Sequence, residues 1–141
     1  MGMTNDTIKT RATARRTGRA ITVTAGAAGA LLLWAVSDPW GGIDLTVRQG
    51  GGTQHVGPAA VVATALIAGL AAWGLLTLLE RSSVGHPVRA FRIVASAVLL
   101  LSLAGPLTSG DGLGSRLTLI GMHLTVGAAL IIGLPGWRAC R

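Results

Sequence analysis

The chain reads as an all-α integral membrane protein, a bundle of four transmembrane helices with a structured loop, a short β-hairpin, between helices 1 and 2. Three observations predict this. Half of the 141 residues are hydrophobic and only 12% are charged, against about 25% charged in a soluble domain. Four apolar runs approach or reach the roughly 17–25 residues that a bilayer-spanning helix needs. The cations gather at alternate connections between those runs, which is how membrane orientation is written in a sequence.

The elements follow in order. Residues 1–19 form a basic tail with Lys9, Arg11, Arg15, Arg16 and Arg19. The first span, 20–36, "AITVTAGAAGALLLWAV", holds no charge. A cleavable leader would share its basic start and the small residues Ala35–Ser37. Such a leader has an apolar core of about 7–15 residues, shorter than this run, and three further spans follow, so the segment reads as a retained helix. Span two, 59–79, is uncharged over 21 residues, with Pro58 at its start, where a missing N–H costs nothing. Span three, 91–109, centres on the apolar Ile93–Leu107 and contains Pro106. That proline removes the donor for the Ser102 carbonyl and should kink or end the helix. Its bland role is to terminate the helix at the surface; the alternative is to open an outward cavity. Span four, 117–134, is interrupted only by His123 and small polar residues. Residues 20–136 thus make the membrane domain, and 137–141 a second basic tail.

Ten of the twelve cations lie on one side: five in the first tail, Arg81, Arg89 and Arg92 between spans two and three, and Arg138 and Arg141 at the end. Arg48 and Arg116 are alone on the other. The asymmetry puts both termini in the cytoplasm of a bacterial cell and makes anionic lipid headgroups the partner of the basic face. A net charge of +7 grouped around apolar runs does not describe a nucleic-acid surface. Trp34 and Trp40 mark the outer boundary, and Trp73 and Trp137 the inner one. Eleven arginines to one lysine, with abundant Ala and Gly, suggest a GC-rich genome.

Helices in lipid associate through small residues that let backbones approach. Gly26 and Gly29, with Thr22 and Ala30, line one side of span one; Ala65, Gly69 and Ala72 line span two. Both stripes read as helix–helix contacts, with a ligand groove or a dimer seam as the rival.

Chemistry is sparsely signalled. No Asp, Glu, Lys or Arg interrupts the apolar runs, which weakens an ion-coupled transporter. His123, about 9 Å into span four, reads first as a histidine bonded to a backbone carbonyl or hydroxyl, and second as a ligand contact. Its neighbour one turn on, Gly127, implies that this face meets a helix. His55, His86 and His123 lack metal-ligand spacing. The single cysteine, Cys140, forms no intramolecular disulfide. No nucleophile, Walker or Rossmann motif is present, so the chain is expected to be non-enzymatic and to need no cofactor.

The densest polar stretch is "IDLTVRQGGGTQHVGP", 43–58. Its alternation from Ile43 to Arg48 has the period of a half-buried strand. Gly50–Gly52 supply a reversal, and "TQHV" returns. A two-stranded ribbon is marginal alone, so it should rest on the helix ends, with Ile43, Leu45 and Val47 inward and Asp44, Thr46 and Arg48 outward. A flexible linker, or a nest of backbone N–H groups binding an anion beside Arg48, are the alternatives. If a ligand site exists, Arg48, Gln49, Gln54, His55 and His123 are its candidates, with Gln49 near Gln54 across the glycines.

The loop "DLTVRQGGGTQHVGP", the pair Gly105-Pro106 and "MHL" at Met122–Leu124 resemble an uncharacterised family of small four-span membrane proteins from actinobacteria, classed as a domain of unknown function. The resemblance covers about 21–134. It implies a four-helix membrane fold and carries over no activity or site residue. The functional expectation is therefore an accessory protein that binds a copy of itself or a larger membrane partner. The alternative is a small-solute carrier or binding protein with an outward site between the loop, Pro106 and His123.

Overall fold

A computed structural model describes residues 3–38, 40–42, 45–49, 51–109 and 112–136; the side chains of 3–8, 11, 48, 49, 109 and 136 lie outside that description. Helix α1 spans Met3–Ser37, and a hairpin follows with β1 at Thr46–Gln49 and β2 at Gly52–His55. Helix α2 is Pro58–Arg81, α3 Pro87–Ser102, α4 Ala104–Ser109 and α5 Leu113–Gly136. Four segments are long and apolar enough to cross a membrane: Ala12–Ser37, Pro58–Arg81, Pro87–Thr108 and Leu113–Pro135.

The helices run past the expected spans at several ends. The basic tail is helical and continuous with span one, because Ala, Arg and Lys are good helix formers and nothing between Lys9 and Arg19 breaks the turn. The third span is two helices in series. The break falls at Leu103, three residues before Pro106, where the Ser102 carbonyl loses its usual i+4 donor. The Leu103 N–H still reaches Leu99 O at 3.2 Å and the Leu107 N–H reaches Leu103 O at 3.2 Å. The chain is interrupted but stays helical beyond the proline, so Pro106 does not terminate it.

Short connections make consecutive helices antiparallel neighbours. Helix α1 packs on α5 and α2, α2 on α3, and α3 on α5, closing a ring. One buried cluster, toward the end away from the hairpin, joins Val23, Leu76, Phe91, Leu130 and Leu134. A second, under the hairpin, joins Ala30, Leu45, Val61 and Met122. Small residues set the spacing. A Cβ on Gly69 would stand 2.5 Å from Val23 Cγ1, and one on Gly29 would stand 3.2 Å from Thr125 Cγ2. Gly26 faces Ala129, Gly133 lies against Thr22, and Gly127 against Leu99. Ala65 and Gly69 are buried and Ala72 packs on the first cluster. Large apolar side chains such as Leu32, Ile67, Leu101 and Ile132 are exposed on every side of the ring, as lipid-facing positions require.

Candidate functional site: a polar cap and an apolar groove

The hairpin is antiparallel, with Thr46 opposite His55, Val47 opposite Gln54, Arg48 opposite Thr53 and Gln49 opposite Gly52. The strand begins at Thr46, later than the alternation suggested; Ile43, Asp44 and Gly50 lie outside the described residues. Gly52 belongs to β2, so the reversal is tighter than three glycines, and Gly51 has φ +87, a conformation that favours glycine. Gln54 pairs with Val47, which puts Gln49 on the same face one diagonal step away rather than directly across.

The ribbon is fastened to α1 by named bonds. The Trp34 indole N–H donates to Val56 O at 2.8 Å. Asp38 Oδ1 accepts from the Leu45 N–H at 3.0 Å and lies 3.1 Å from His55 Nε2. The Val56 N–H donates to Leu45 O at 2.7 Å, adding one rung below the ladder. Leu45 is fully buried and Val47 half-buried. This is a packed cap, and β1 also touches α4.

The second feature is a cavity of about 560 Å³ between α2, α3 and α5. It runs from Ala60 to Leu75 along α2 and reaches Phe91 on α3. Ala60, Thr64, Ala68 and Ala71 line it and are exposed, so it is a groove open to the outside of the bundle. Its lining is almost entirely Ala, Val and Leu; Thr64, Ser102 and His123 supply the polar side chains. The Ser102 hydroxyl is spent on Leu99 O at 2.7 Å. His123 Nδ1 lies 2.9 Å from Leu119 O. A carbonyl can only accept, so Nδ1 donates to it.

The groove meets the cap at Val56, which lines it. Of the candidate ligand residues whose side chains are described, His123 lines the groove; Gln54 and His55 are exposed on the hairpin, and Pro106 is buried outside the lining. The side chains of Arg48 and Gln49 are outside the description. Among the described side chains, His55 is turned to Asp38 and His123 to Leu119 of its own helix. Among the described residues no three His, Cys, Asp or Glu side chains converge as a metal site would require.

Sequence reasoning missed one pair. Arg19 Nη2 and Glu80 Oε1 are 2.6 Å apart, with Arg19 buried and Glu80 half-buried. The pair ties α1 to α2 at the end away from the hairpin. The signal was present: Glu80 is the only glutamate in the chain, and antiparallel neighbours bring the start of one span beside the end of the next.

Four helices of this length and apolarity define a class, the small multi-pass membrane protein. Within it, the chain belongs to the family of unknown function DUF6069, whose profile matches residues 10–139. No curated protein and no solved structure matches the chain.

Proposed function

We propose that the protein is a non-enzymatic accessory protein of the plasma membrane that works by holding a membrane component in the groove between α2, α3 and α5. The observation that carries this reading is the groove itself: about 560 Å³, apolar, and open along exposed residues of α2. Gly26 and Gly29 of α1 and Gly69 of α2 are occupied by contacts within the bundle, so a target is better met at the groove than at those stripes. His123 is the groove's one titratable side chain and is bonded to its own helix, which supports binding over catalysis. The alternative, a polar-solute carrier, has less support because Gln54, His55 and Pro106 stand outside the groove.

The termini and the α2–α3 connection are proposed to be cytoplasmic, against anionic headgroups, with the hairpin outside. Ten cations against two support this, and the arginine bias is consistent with an actinobacterial source. A copy of the same chain or a larger partner would be met in the membrane, and nucleic acid is not a partner.

The test is extraction of the full chain with its native lipids, followed by mass identification of everything retained. Ala68 is exposed in the groove, so Ala68→Trp fills it without entering the packed core. The variant is expected to lose a component that the wild type retains. Identical retention by both proteins would overturn the reading.

A further inference from the structure

We infer that the groove's occupant is a neutral lipid, an extended hydrocarbon chain with a hydroxyl-bearing head seated at His123 and Thr64; this deepens the binding reading above and rests on it. Shape comes first. From Ala60 to Leu75 the groove is about 22 Å long at 1.5 Å per residue, which gives its 560 Å³ a mean cross-section of about 25 Å². An extended hydrocarbon chain, one carbon zigzag wide with contacts near 4 Å, is about 4–5 Å across and needs close to 20 Å². A chain of that width can lie along the whole groove, which is open to the outside of the bundle.

Polarity then orients the chain. Thr64 is about 9 Å along α2 from Pro58, and His123 about 15 Å along α5 from Leu113, both starts being at the hairpin end. Ser102, at the end of α3, falls at the same end. From Thr64 the apolar lining runs about 16 Å toward Phe91, through Ala68, Ala71 and Leu75, and only about 6 Å toward the hairpin, over Val61 and Ala60. The occupant's head therefore lies toward the hairpin and its tail toward Phe91. A charged head at that depth would be costly, and among the described residues no charged side chain lines the groove to receive one, so the head is neutral.

The hydrogen-bond inventory chooses its chemistry. With Nδ1 donating to Leu119 O, His123 Nε2 is the ring's acceptor. It calls for a donor, and a lipid hydroxyl is the uncharged donor that membranes supply. The Thr64 hydroxyl can donate to the same head or to a neighbouring ester oxygen.

The experiment places the full chain in phosphatidylcholine vesicles with a monoacylglycerol carrying a photoactivatable group in its tail. A parallel sample uses the same lipid with both hydroxyls methylated. The free-hydroxyl probe should label peptides of α2 and α3 that line the groove, be displaced by unlabelled monoacylglycerol, and exceed the methylated probe roughly fivefold to tenfold, the size of one buried hydrogen bond. His123→Phe should abolish that preference while leaving tail labelling, and His123→Gln, which keeps an acceptor, should restore part of it. Ala71→Phe should remove labelling by both probes. Groove labelling that is equal for the two probes, or a preference that His123→Phe leaves intact, overturns the hydroxyl-headed lipid and spares the broader binding reading. Equal labelling of every lipid-facing helix overturns both.

Discussion

Asp38 holds two parts of the cap with one carboxylate oxygen, the Leu45 N–H at 3.0 Å and His55 Nε2 at 3.1 Å. Asp38→Ala should release both and cost about 1–2 kcal/mol locally, read as faster amide exchange at Leu45 and Val56 with α2 and α5 unchanged. Unaltered exchange at those two amides would mean that Trp34 alone fastens the hairpin. The second residue-scale test concerns Arg19 and Glu80. Removing either breaks the 2.6 Å pair and leaves a partly buried charge with one contact fewer, whereas removing both leaves no such mismatch. Arg19→Ala and Glu80→Ala should each lower the melting temperature in detergent, and the double variant should recover about 1–3 kcal/mol relative to their sum. Strict additivity would show that the pair is not coupled. That His123 would bond to a backbone carbonyl or a hydroxyl was readable from its place in an apolar run; that the partner is Leu119 O of its own helix was not. The partner of Asp38 was not, because a loop carboxylate gains meaning only once Leu45 and His55 have been brought to it by tertiary structure.

At the scale of elements, helix α2 contains its own control. Gly69 is buried, and a Cβ there would stand 2.5 Å from the stiff side chain of Val23; Gly74 is exposed, and a Cβ there would meet nothing within 4 Å. Gly69→Ala should destabilise the bundle by about 1–3 kcal/mol through overpacking. Gly74→Ala should stabilise it by about 0.5–1 kcal/mol by stiffening the unfolded helix. Thermal melting of the two variants in one detergent checks the sign, and equal shifts would place both glycines in lipid. Element existence was legible because uninterrupted apolar runs admit no other structure in a bilayer. Element ends were less so. The helical tail of α1 is built from polar residues that periodicity does not mark, and the break at Leu103 sits upstream of the proline that causes it. The hairpin's alternation began at Ile43, outside the described residues; the ladder runs from Thr46 and the Leu45–Val56 bond adds a rung to it, since register is fixed by the turn and the anchor at Leu45 rather than by alternation alone.

For the whole molecule, the ring of four helices leaves its apolar surface outward and concentrates its cations at one end, and both features follow from a bilayer as solvent. The groove was not legible in the sequence. One wall is a run of alanines of α2 that looks like any packing stripe, and only the spacing of three helices turns it into a cavity. The account rests on one arrangement: four crossings, with the hairpin on one side of the membrane and the α2–α3 connection with both termini on the other. Thr53 and Ser83 are both exposed and sit at opposite ends of the bundle. In a Cys140→Ser background, Thr53→Cys and Ser83→Cys can each be treated with a membrane-impermeant maleimide on intact cells. The account predicts prompt labelling at position 53, and labelling at position 83 only after the membrane is opened. Labelling of both positions in intact cells, or of position 83 alone, would contradict it.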